Sequence, residues 1–361
     1  MMRRGFSYGI GLSAALLLTV LLGCERVDIP QSMEGAILFN AAPVGISSAM
    51  VKGDPSHESD FIKEGNTISI YGSWTSPTGV STDIFRGVEL TCHATGNLQD
   101  PYDWTYSPLR YWRSQGSYTF GSVYPSDARV EYGTTGGKLV ATYSMLADDY
   151  DLMVASHKRN MEAPDATATV PLQFHHACAA VRFLFRKAEG SESDYYVDSF
   201  ELQNLSVVGR LVANWVVTDP GNNTEEYQIS WTPAEAKSSG IYAWQAASQS
   251  EWIEVPTEYD TDSETSVEQW HFVIPQQLLG DGVTHPTLKF SIHVGNDETP
   301  VYTHLLLPEE EIPEQGDPIP ISWESGKMYT YKVQIQPSKA YIEVEVMPWD
   351  EYYLGVDDIS F

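Results

Sequence analysis

Apolar and polar positions alternate with a period of two along most of the chain. In TLKFSIHV, Leu288, Phe290, Ile292 and Val294 point one way, while Lys289, Ser291 and His293 point the other. YIEVEV sets Ile342, Val344 and Val346 against Glu343 and Glu345, and YKVQIQ sets Val333 and Ile335 against Lys332 and Gln334. AAVRFLF places Val181, Phe183 and Phe185 on one face and Arg182 and Arg186 on the other, and TISIY and KLVATY read likewise. Successive side chains of a strand face opposite sides of its sheet, so each segment predicts a strand with one buried and one wet face. Between them lie the turn-forming clusters SPTG, DPGNN and VGNDETP. No helical period persists beyond two turns. The pattern predicts an all-β protein of antiparallel sheets packed face to face.

Length turns this into two β-sandwiches, because 361 residues exceed one sandwich of ordinary size. The charged, Pro-containing loop HKRNMEAPDATATV is the best boundary, dividing an N-terminal domain (24–166) from a C-terminal one (167–361). A second irregular stretch, EVPTEYDTDSETSVEQ, reads as a surface loop of the latter.

The first residues follow another pattern. Arg3 and Arg4 precede an apolar run, Ile10 to Leu22, of about 13 residues, which is the length of a secretory core and too short for a membrane span. Leu21, Gly23 and Cys24 resemble a lipobox, predicting a signal peptide (1–23) and acylation of Cys24. Acyl chains would hold the protein on a membrane with no transmembrane helix. Glu25 and Asp28, close behind the cysteine, resemble the signal that sends lipoproteins to the outer face of the outer membrane.

The formal charge is −28, and loss of Arg3 and Arg4 with the signal leaves about −30. Such a chain repels nucleic acid and anionic lipid, so no nucleic-acid partner is expected and the lipid must do the anchoring. Cys92 and Cys178 read as two buried or semi-buried thiols rather than a disulfide. No nucleophile elbow, phosphate loop or metalloprotease motif appears, and no catalytic residue, metal ligand or cofactor is assigned. His175 and His176 are adjacent and would face opposite sides of a strand. The acidic runs DDYD (148–151) and DTDSE (260–264) read as solvated loops. The densest aromatic patch, YDWTYSPLRYW, offers Trp104 and Trp112 as a platform for sugar rings, provided that both indoles are exposed.

Several landmarks, in order, resemble the fimbrillin family of Bacteroidales surface lipoproteins, the Mfa-like group. They are the lipobox, ILFNAAPVGISSAMVKG, TISIYGSW, YWRSQGSYTFGSVYPS, PLQFHHACAAVRFLF, SWESGKMYTYKVQI and VMPWDE. The resemblance implies two tandem transthyretin-like sandwiches and a role without catalysis, as a subunit, tip or anchor of fimbriae acting in adhesion. Its partners would be other fimbrial subunits and surface proteins or glycans of a host or bacterium. It implies assembly by strand exchange: a protease removes the first strand, here GAILFNA (Gly35 to Ala41), and a neighbour's extended segment fills the groove. YIEVEVMPWDEYYLGV is the candidate donor. The candidate cleavage sites are Arg26 and Lys52. Cutting at Arg26 would leave the strand in place, and no arginine follows the strand until Arg86, which favours an anchor, tip or unpolymerised surface protein. The alternative is a surface glycan-binding lipoprotein.

Overall fold

The computed structural model describes residues 35–43, 61–95, 102–113, 115–133, 136–147, 150–161, 169–260, 269–278, 285–295, 297, 299–307, 322–336 and 339–349. Among them the elements are twenty strands and one 3-10 turn, Gln249–Glu251, so the all-β expectation holds. All lie within one compact unit, Glu34–Phe361.

The first sheet curls into a closed barrel in place of an open sandwich layer. It comprises β1 (Phe39–Pro43), β2 (Thr67–Thr75), β3 (Ser81–Ala94), β4 (Tyr102–Thr105), β5 (Ser117–Tyr124), β8 (Met153–Asn160) and β9 (Val170–His176). The order around it is β1-β4-β3-β2-β5-β8-β9. Closure removes the open edges that would otherwise invite pairing with other chains. Phe39, Phe85, Trp104, Tyr118, Phe120 and Phe174 fill its interior.

Three further sheets carry most of the second half. One has β10 (Ala179–Lys187) beside β16 (His271–Val273) and β19 (Lys327–Gln336), with β20 (Lys339–Pro348) at its end. Another has the order β14-β11-β17-β18, from Ser238–Gln245, Tyr195–Leu205, Thr287–Val294 and Val301–Leu306, and β15 (Ile253–Glu254) also pairs with β11. Phe183 and Phe185 meet Phe200 and Phe290 between these two sheets, at ring separations of 5.2 and 5.3 Å. The last sheet orders β13 (Thr224–Pro233), β12 (Val208–Asp219), β7 (Lys138–Ser144) and β6 (Val130–Gly133). It joins strands from both sides of residue 166, Val208↔Ser144 through Ala213↔Leu139. The β12–β13 hairpin also reaches back to the barrel, where Trp215 Nε1 donates to Ser156 Oγ at 2.8 Å.

Several features depart from the alternation-based reading. In β17 the outward positions Ser291 and His293 are buried, His293 Nε2 lying 2.8 Å from Asp198 Oδ2, while Val294, and Val346 of β20, are exposed. The sheets are not purely antiparallel, because β1 runs parallel to β9 and β10 parallel to β19. Nor does β10 have a wet face. It lies inside its sheet, and Arg182, only 8% exposed, is covered by Trp270, whose ring centre lies 4.4 Å from the guanidinium. Arg186 is covered by Tyr259 at 4.7 Å. Long charged side chains bury their stems under aromatic rings at modest cost when the cation lies over a π face.

Candidate functional site: the closing strand of the barrel

The barrel is sealed unevenly. β5 and β8 pair along their full length, Ser117↔Asn160 to Tyr124↔Met153. β8 meets β9 only at Met153↔His176 and Val154↔His175, and β1 meets β4 only at Phe39↔Trp104. β1 is therefore held mainly by its parallel ladder to β9, Phe39↔Val170 to Pro43↔Phe174. Parallel ladders are slightly less stable per residue than antiparallel ones.

Side chains compensate for the missing ladder. Alternate positions Ile37, Phe39 and Ala41 point inward and are buried. The Phe39 ring meets Phe85, Phe120 and Tyr106 edge-on, with centroids 5.4, 5.5 and 5.9 Å away. Burying such a ring is worth roughly 1.5–3 kcal/mol. The Tyr106 hydroxyl donates to Ile37 O at 2.7 Å and accepts from Arg110 N at 3.1 Å. Trp104 Nε1 donates to Ala41 O at 3.2 Å. The backbone of 110–112 takes the start of the segment, with Ile37 N donating to Arg110 O (2.8 Å) and Trp112 N to Gly35 O (3.0 Å). Gly35 to Pro43 thus lies in a groove of apolar pockets lined with hydrogen-bond partners. Burial raises the Tyr106 pKa, so its hydroxyl stays a neutral donor.

GAILFNA, singled out from sequence, falls on this segment, although the strand itself begins at Phe39. Cys24, Arg26 and Lys52 lie outside the described residues, as do Asp148, Asp149 and 261–264. Arg86 sits within β3, paired with Tyr71, and its Nε lies 2.9 Å from Asp83 Oδ2. Trp104 is 4% exposed and points into the barrel, and Trp112 is half-buried, edge-on to Tyr118 at 4.7 Å. The two indoles do not form the open platform that sugar stacking at this patch requires. Trp104 and Tyr106 instead clamp β1, a role that alternation and composition do not signal.

The candidate donor is divided. β20 pairs with β19 over ten positions, Lys327↔Pro348 to Gln336↔Lys339, and Ile342 and Val344 are buried. Trp349 stacks on His176 at 4.1 Å and on Phe272 at 5.7 Å. His176 is buried, with Nδ1 2.6 Å from Asp151 Oδ2, while neighbouring His175 is half-buried. Residues 350–361 lie outside the described set. Cys92 and Cys178 are both buried thiols. Among the described residues no group of His, Cys, Asp and Glu could hold a metal ion.

The family model described as fimbrillin-like matches residues 54–349. Among solved structures, a fimbrial protein from Bacteroides vulgatus ATCC 8482 superposes with a TM-score of 0.53 at 14% identity, over 87% of this chain and 99% of that one. A Bacteroides uniformis ATCC 8492 protein, provisionally assigned to cell adhesion, gives 0.51 at 14% identity, over 88% of this chain and 100% of that one. At such identity the likeness is one of fold. No curated protein matches the sequence significantly.

Proposed function

As the chain belongs to the fimbrillin-like family, we propose that it is a lipid-anchored surface protein serving adhesion as a subunit, tip or anchor of a fimbrium. Cys24 carries the acyl chains and the outer membrane is the site of attachment. Assembly proceeds by strand exchange at the β1 groove. The observation that supports this reading is the asymmetric seal of the barrel. β1 is held by five ladder pairs on one side and one on the other. Its affinity for the groove rests on side-chain pockets that another strand of like alternation can fill.

Withdrawal of β1 would expose the edges of β4 and β9 together with an apolar trough, a strongly unfavourable state that a donor strand relieves. A head-to-tail contact of this kind does not close on itself and extends into a filament. The donor is not Lys339–Trp349, because leaving the β19 ladder would cost ten pairs and the burial of Ile342, Val344 and Trp349. It lies beyond Trp349. Arg86 is a poor processing site, since cutting there severs β3 inside the barrel.

The test is limited trypsin treatment of the purified lipidated protein. Loss of Gly35–Pro43 accompanied by SDS-resistant ladders is the expected result, and a trimmed chain that stays monomeric overturns strand exchange. Intact mass of the Cys24→Ala variant tests the anchor separately: the acyl mass and the outer-membrane location should both vanish.

A further inference from the structure

A cleft of about 910 Å3 opens beneath the β12–β13 hairpin, remote in sequence from the β1 groove. Ligand sites commonly enclose about 300–1,000 Å3. One wall is formed by Ile229, Trp231 and Pro233, alternate positions of β13 and hence one face of it. The floor is formed by Ser206, Gln276 and Trp323.

Trp231 is held before any ligand arrives. Its Nε1 donates to Ala177 O at 2.7 Å, and its ring edge tucks against Gly209. A Cβ at Gly209 would stand 3.0 Å from Trp231 Cε3 and 2.9 Å from Ile274 Cγ2, so glycine there makes room for the indole. A half-buried aromatic ring fixed at two points loses little entropy on binding.

The polar groups of the floor are already engaged. Gln276 N donates to Trp323 O at 3.1 Å, and Trp323 N to Gln276 O at 2.9 Å. Ser206 N donates to Gln276 Oε1 at 3.0 Å, and Gln276 Nε2 to Ser206 O at 3.2 Å. The backbone groups of Gln276 and Trp323 are thus paired with each other and are not open to an incoming peptide strand. Lys237 Nζ donates to Ser206 Oγ at 3.2 Å and Glu324 pairs with Lys327 at 2.8 Å, which leaves Glu235 as the lining charge with no side-chain partner among the described residues. An acidic ligand gains little beside it.

Exposed Glu235 and Gln277 remain at the rim, with no side-chain hydrogen bond among the described residues. A carboxylate only accepts, whereas an amide both donates and accepts. A ring bearing several hydroxyls can serve both while its C–H face lies on an indole. From this geometry we infer that the cleft binds a neutral pyranose unit of a glycan, with Trp231 as the stacking surface and Glu235 and Gln277 as hydrogen-bonding groups. This goes beyond the proposed assembly and does not depend on strand exchange, since the cleft is complete in one chain.

The test uses the full chain, untrimmed and monomeric in detergent, on a printed array of neutral and acidic glycans, with a proline-rich decapeptide as competitor. The best saccharide is then titrated against tryptophan fluorescence. A neutral glycan should bind, and the rim variant Glu235→Ala/Gln277→Ala should weaken it by about tenfold while leaving the thermal midpoint unchanged. Trp231→Phe should weaken it as well, and the rim variant keeps the test decisive if that substitution impairs folding. Absence of glycan binding, binding only of acidic glycans or of the peptide, or full affinity in the rim variant would each overturn the assignment. Because the array uses untrimmed monomer, these outcomes are independent of whether trypsin yields ladders.

Discussion

Tyr106 and Phe39 secure the same strand by different physics, and their substitutions should separate the two. Tyr106→Phe keeps the ring and removes a hydroxyl that serves both Ile37 O and Arg110 N. Leaving buried polar groups unmatched costs about 1–3 kcal/mol. Phe39→Ala empties a pocket walled by Phe85, Tyr106 and Phe120 and should cost about 3–5 kcal/mol. Urea unfolding monitored by fluorescence reads both as shifts of midpoint at constant slope. Equal losses would mean that the hydroxyl matters to the seal as much as the ring does. The burial of Phe39 is legible in the alternation of ILFNA. The Tyr106 clamp is not, because its partner Ile37 lies 69 positions away and no local pattern encodes that distance.

β1 and β20 illustrate what a strand's neighbours do to it. Both alternate apolar and polar residues, but β20 has ten partners in an antiparallel ladder and β1 has five in a parallel one. Hydrogen exchange should therefore protect the β19-bonded amides among 342–346 more than the β9-bonded amides among 39–42, by an order of magnitude or more (about tenfold per 1.4 kcal/mol). Comparable protection would remove the asymmetry on which strand exchange rests. Deleting residues 350–361 should leave the thermal midpoint within about 2 °C and abolish trypsin-induced ladders. Ladders that persist would place the donor elsewhere. β10 carries the converse lesson. Its arginines read as a solvent face, and only the aromatic covers Trp270 and Tyr259 make that face interior.

Many buried acids of high pKa give the folded chain a definite pH response. Burial, with Glu64 and Asp103 adding repulsion, pushes the Cys92 thiol from 9.0 to about 11. Burial likewise lifts Tyr132 and Tyr329 from 10.0 to about 12. A folded-state pKa above the unfolded one means that the native state holds its proton longer, so stability falls once the unfolded group ionises. The urea midpoint should be level up to about pH 9 and decline progressively towards pH 11–12. A midpoint indifferent to pH over that range would contradict the burial. The same burial should shield Cys92 and Cys178 from iodoacetamide until denaturant is added, and reducing agent should not move the thermal midpoint.

Strand content, turn positions and inward-facing residues such as Phe290, Ile292 and Ile342 could be read directly from the chain, because a strand's side-chain period is a property of its own backbone. Pairing is not. That β7 lies beside β12 across residue 166, that β9 turns back to β1, and that Trp104 points inward all depend on contacts between segments distant in sequence. Closure of the barrel and the cleft under Trp231 arise only when those segments meet, since hydrogen-bond ladders and buried surface are shared between partners and belong to neither alone.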